Sequence, residues 1–152
     1  MFQIHRMRIS SLVTLGLFLA LCGGVRAEQG LQSSAPAALE VRVLEAQVPP
    51  AAEQGERYAV TYRMEIISVL RSTSRVKPGE TIVVRSYALA QGGADTGTAA
   101  PVLLTPGWIG VAYLAPDPKA AGPEARWQFV VAAEGDSFAD LAPAPPSLRW
   151  TQ

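Results

Sequence analysis

The sequence predicts an all-β fold, a small closed Greek-key barrel of five or six strands, and three observations predict it. Short runs in which apolar and polar residues alternate at every second position are separated by breaks rich in Pro and Gly. All twelve prolines lie beyond residue 27 and outside the interiors of those runs. One run is much longer than the others and changes phase part-way, as a bulged strand that serves two faces does. Five or six strands in about 100 residues suit a closed barrel better than a two-sheet sandwich, which prefers about seven.

Residues 1–27 read as a cleaved secretory signal peptide. His5, Arg6 and Arg8 give a basic start, Leu12 to Leu21 is an uncharged apolar run, and Val25-Arg26-Ala27 places cleavage before Glu28. The run is broken by Cys22, two glycines and Arg26, short of the about 20 apolar residues that a spanning helix needs. Cys22 opens a second route, a lipoprotein signal with the mature chain tethered at that cysteine, although Leu21 stands where that motif takes Gly, Ala or Ser. In that case residues 23–38 would be a leash to the membrane. No segment reads as a membrane span.

Residues 28–38 carry one large apolar side chain, Leu31, and read as a disordered leader, so the domain is expected over residues 39–141. The first strand is Leu39 to Gln47, with Leu39, Val41 and Val43 on one face, ended by Pro49-Pro50. The longest is Arg57 to Leu70, with Tyr58, Val60, Tyr62, Met64 and Ile66 on one side and a phase change at Ile66-Ile67. A polar connection from Arg71 to Lys77 ends in Pro78-Gly79, residue types suited to the central positions of a type II turn. Glu80 to Tyr87 is the next strand, Ala90 to Ala100 a long small-residue loop, and Val102 to Leu104 a short strand. After a turn at Thr105-Pro106-Gly107 come the strand Trp108 to Leu114, a loop over residues 116–125 and the strand Arg126 to Ala133, broken by Gly135. Residues 142–152 form a Pro-rich C-terminal tail.

Residues 58–84, through Tyr58-Ala59-Val60-Thr61-Tyr62, Ile67-Ser68-Val69-Leu70 and Lys77-Pro78-Gly79-Glu80, resemble the netrin-like domains of the tissue-inhibitor-of-metalloproteinases superfamily. Leu104 to Gly107, Val111 to Leu114, and Gly135 with Phe138 continue the resemblance, which covers residues 39–138. It implies an oligomer-binding-type (OB-like) barrel. Inhibitors of that superfamily chelate their target's zinc through a mature N-terminal cysteine, and a mature chain starting at Glu28 has none. Its heparin-binding members are basic, and this chain is not.

Thirteen basic residues balance thirteen acidic ones over the 152 residues, but the predicted cleavage removes Arg6, Arg8 and Arg26 and leaves a net charge of −3. No like-charge run marks a nucleic-acid partner. Cleavage also removes the single His and the single Cys. Residues 28–152 therefore cannot form an internal disulfide, a Ser-His-Asp or Cys-His centre, a His/Cys zinc site or a CxxC redox pair. No phosphate-binding glycine loop is present, since Gly92-Gly93 has no helix pattern after it, and Asp95, Asp117 and Glu124 are too dispersed for a calcium loop. No cofactor and no metal is expected.

Gly135-Asp136-Ser137-Phe138 resembles the nucleophile block of GDS-type esterases but lacks the downstream Asp-x-x-His, so it reads as a turn with a satisfied serine. Glu134 and Asp136, with Glu65, are the carboxylates from which a hydrolase would be built. Arg71, Arg75 and Lys77 form the basic cluster between two strands and fit an anionic contact. Among the aromatics in or beside strands, which also include Tyr58 and Tyr87, the candidates for a ligand or partner contact are Tyr62, Trp108, Tyr113 and Trp127. Trp150 in the tail packs back on the barrel or meets a partner. The sequence is thus read as a periplasmic or secreted, non-enzymatic binding or protein-interaction module of unknown partner. A loop-mediated protease inhibitor and a carboxylate-dependent hydrolase are the alternatives.

Overall fold

A computed structural model describes residues 30–90 and 99–141. Six strands carry the fold: β1 (Ala37–Gln47), β2 (Arg57–Ser72), β3 (Thr81–Leu89), β4 (Ile109–Pro116), β5 (Gln128–Val131) and β6 (Phe138–Asp140). They form one mixed sheet in the order β1-β2-β3-β5-β4-β6, and a further β1–β4 pairing closes a ring through five of them. Each pairing is antiparallel except β3–β5, which is parallel and spans only Val83–Arg85 against Gln128–Val130. Closure gives the backbone groups of the ring strands partners on both sides, which an open sheet denies its edges.

The two-residue alternation places one face of every strand inward. Leu39, Val41 and Val43 of β1 meet Val60, Tyr62, Met64 and Ile66 of β2, Ile82 and Val84 of β3, Leu114 of β4 and Phe129 of β5. Each of these eleven side chains is at most 1% exposed, and burial of a side chain of this size contributes about 1.5–3 kcal/mol. Tyr62 spans the core: its ring meets Phe138 edge to face at 5.8 Å, and its hydroxyl accepts the Leu104 N–H at 3.1 Å. Burial pushes the Tyr62 phenol pKa up.

The phase change expected at Ile66-Ile67 is a bulge. Val41 pairs Ile66 while Glu40 pairs Ser68, so Ile67 is skipped. Two further shifts, past Leu70 on β2 and Leu44 on β1, turn those leucines outward, where they are 59% and 42% exposed. The bulges bend the 16-residue β2 around the core. Both expected turns form. The Glu80 N–H reaches the Lys77 carbonyl across Gly79 (φ 86°), and the Trp108 N–H reaches the Thr105 carbonyl across Gly107 (φ 91°), a left-handed region open to glycine.

Four expectations are corrected. Residues 30–38 of the leader are structured: residues 30–34 make a helical turn, Ala35 and Ala37 are buried, and β1 starts at Ala37. Alanines fit the end of the core where larger residues would not. Arg71 anchors them by donating to the carbonyls of Gln32 and Ala35. Val102 to Leu104 is no strand, because its backbone is held by the Tyr62 hydroxyl rather than by a ladder. Arg126 and Trp127 belong to a 3-10 turn, Pro123–Trp127, in which the early proline favours a turn over a strand, so β5 is only four residues long. Lastly, β6 was not expected; it pairs Phe138–Asp140 with Gly110–Ala112. The signal segment 1–27 with Cys22, the tail 142–152 with Trp150, and Gly92, Gly93 and Asp95 lie outside the described residues.

Gly110 lets Trp108 and β6 share one place. A Cβ there would lie 2.2 Å from the Trp108 ring and 2.5 Å from the Ala139 carbonyl oxygen. Trp108 in turn packs edge-on to Phe138 at 6.0 Å and donates from Nε1 to Asp140 at 3.1 Å. Gly110→Ala is expected to destabilise the protein by about 1–3 kcal/mol through overpacking and to speed amide exchange in Phe138–Asp140. Denaturant unfolding with hydrogen exchange checks this, and unchanged exchange in β6 would contradict it.

Candidate functional site at the end of the parallel seam

β5 runs beside β3 only as far as Arg85, while β3 continues to Leu89 with β2 on its other side. Where β5 stops, the wall carries an open hollow of about 500 Å³. Arg57, Tyr58 and Ala59 come from β2, Arg85, Ser86 and Tyr87 from β3, and Val130 with Val131 from β5. The register sets this grouping, since Ala59 pairs Tyr87, Val60 pairs Ser86, and Arg85 pairs Val130.

Alternation along β3 sends Arg85 and Tyr87 outward and Ser86 inward. The Arg57 guanidinium lies 3.6 Å from the Tyr87 ring centroid, a cation–π contact. Arg85 forms a two-pronged pair with Asp117, Nε and Nη2 each 2.5 Å from a carboxylate oxygen. The Asp117 side chain is 4% exposed and also accepts the Lys119 N–H at 2.8 Å. The Arg85 hydrogen bonds, helped by the Lys119 N–H, hold the Asp117 carboxyl below its ordinary pKa, and the same pair raises that of Arg85. Ser86 is 8% exposed, and its Oγ is buried on the core side of the wall with no hydrogen-bond partner in the protein.

The residues singled out from sequence are dispersed. Tyr62 is corrected from a contact residue to a core residue at 1% exposure, because the bent β2 turns its ring inward. Trp108 covers Gly110, and Tyr113 is half-buried on β4. Trp127 packs on the core with the Arg126 guanidinium 3.7 Å from its ring centroid. Arg71 is committed to the carbonyls of Gln32 and Ala35, while Arg75 and Lys77 are exposed on the connection between β2 and β3. Glu65 pairs with Arg42 at 3.3 Å, and Glu134 and Asp136 sit on a 3-10 turn after β5. None of these carboxylates lines the hollow. Ser137 is satisfied, donating to the Glu134 carbonyl and accepting the Ala133 N–H.

Sequence reasoning named Tyr58 and Tyr87 only as strand aromatics and missed Arg57, Arg85 and Ser86. One signal was available: in Thr81-Ile82-Val83-Val84-Arg85-Ser86-Tyr87 the serine falls on the face that Ile82 and Val84 bury. Among the described residues no helix is long and apolar enough to cross a membrane, and no group of three or more His, Cys, Asp or Glu gathers to hold a metal ion. No protein-family model and no curated protein matches the chain.

Two outcomes follow from this geometry. Because Asp117 is depressed in the folded state, its contribution is present above the ordinary Asp pKa of 3.8 and is lost as pH falls through the lower folded value. Asp117→Asn is therefore expected to lower the melting temperature at pH 7 and to flatten its decline below about pH 4; an acid limb as steep as the parent's would contradict the assignment. Ser86→Ala removes a partnerless buried hydroxyl and is expected to raise stability by about 1 kcal/mol in urea unfolding. A loss of similar size would mean that Oγ has a partner in solution.

Proposed function

We propose that the protein is an exported, non-enzymatic binding module whose contact site is the hollow over β2, β3 and β5. The observation that carries this reading is a concavity edged by two guanidinium groups, of which Arg57 has no carboxylate partner among the described residues. Folding gains little from a surface cation without a partner, whereas a bound anion can pair with it. Export rests on the basic start, apolar run and cleavage pattern of residues 1–27, which point to the periplasm or to secretion. The non-enzymatic reading rests on residues 28–152 having neither His nor Cys, and on the hollow being lined by no carboxylate.

The netrin-like, OB-like reading belongs here as well. Its support is the five-strand ring with one parallel pairing, β3–β5, and a long bulged second strand. In barrels of that type the second and third strands form a common binding wall, and the hollow lies against that pair. Function still follows from the site rather than from the barrel.

A fragment screen followed by amide NMR tests the site. Hits are expected to shift resonances of Arg57–Ala59, Arg85–Tyr87 and Val130–Val131 together; if all hits map elsewhere, or none is found, the reading fails. Mass spectrometry of the protein from a periplasmic fraction is expected to show Glu28 as the first residue. An intact residue 1 would end the export reading, and a lipidated Cys22 would replace cleavage with tethering.

A further inference from the structure

We propose that the hollow recognises an apolar-bodied monocarboxylate, a fatty or aryl acid whose head group meets Arg57 and Arg85. This rests on the hollow being a binding site and names the class of ligand. The charge is set by the two arginines. Asp117 neutralises Arg85 but engages only Nε and Nη2, leaving Nη1 outside that pair. Arg57 has no carboxylate partner among the described residues, and its guanidinium, held over the Tyr87 ring, is of the type that binds a carboxylate edge-on through its N–H groups. One uncompensated cation beside one neutralised pair matches a single negative charge. A cationic ligand would meet two guanidiniums, and a dianion would stay half unneutralised.

The body of the ligand is set by the rest of the lining. Val130, Val131, Ala59 and the Tyr58 ring offer apolar surface. A volume of about 500 Å³ falls within the range of small-molecule sites. An acid with an apolar chain or ring covers that surface while its head takes the guanidinium edge.

Four six-carbon and two-carbon probes separate these contributions: hexanoate, hexan-1-ol, hexylamine and acetate, titrated into the purified protein and read by NMR shifts of the amides of Ser86, Tyr87, Val130 and Val131 and of the arginine Nε–H groups. Hexanoate is expected to bind, with hexanol about tenfold weaker because a charge-assisted hydrogen bond accounts for about a decade of affinity, acetate at least about tenfold weaker because it lacks the apolar chain, and hexylamine without effect. Arg57→Gln, at an exposed position, is expected to keep the parent's melting temperature and weaken hexanoate about tenfold. Hexanol binding as tightly as hexanoate, or an Arg57→Gln affinity within twofold of the parent's, would overturn the carboxylate assignment while leaving the hollow a binding site. Silence of these resonances to all four probes and to every fragment of the screen would overturn both.

Discussion

β1 must find backbone partners along both of its edges, and the rest of the barrel depends on that. Its residues Ala37–Arg42 pair with β4 on one side, and Ala37–Gln47 pair with β2 on the other. A buried strand cannot leave its N–H and C=O groups unpaired without a penalty for each, so the ends of the sheet are drawn together. Bending is the condition for this. The bulges on β1 and β2 supply the curvature, and their exposed leucines are its by-product. Once the ring is closed, the inward positions of five strands meet in one core, and Tyr62 can reach from β2 to the segment before β4.

The same closure explains where the site forms. A ring with a short parallel pairing leaves β3 longer than its neighbour β5, and the four residues from Ser86 to Leu89 extend past the last β5 contact. The hollow is therefore lined by residues of both faces of the wall, the outward Arg85 and Tyr87 beside Ser86, whose hydroxyl is buried on the core side. The Arg85–Asp117 pair closes the other end by joining β3 to the residue after β4, and its two hydrogen bonds fix the guanidinium plane. Elsewhere the ion pairs are between exposed partners, such as Arg63 with Glu45, and add little.

Much of the fold was legible because alternation is a local property. Leu39, Val41 and Val43 declare an inward face by themselves, and so do Val60, Tyr62 and Met64; even the Ile67 bulge appears as a break in period. What was not legible depends on partners distant in sequence. β6 is three residues long and exists because Gly110 leaves room beside β4. The leader was read as disordered since its alanines have little hydrophobicity of their own, yet Arg71 fixes them from β2. The site was hidden for a similar reason: Arg57 and Tyr87 are 30 positions apart in the chain, and only the β2–β3 register stacks them. Composition ranked the tryptophans and the Arg71–Lys77 cluster above them, and neither composition nor spacing carries register.

The β3–β5 pairing joins segments more than 40 residues apart in the chain through only three residue pairs. Closing the loop between them costs entropy that three pairs repay less well than the six pairs of β1–β4. Both ladders of β5 in the ring are three pairs long, so β5 has little to lose when the barrel breathes. A molecule seated against Tyr87 and Val131 would bridge β3 and β5 beyond their last pair and supply the contacts their brevity denies them. Occupancy and closure of the ring would then be one equilibrium, with the ligand acting as the missing length of β5.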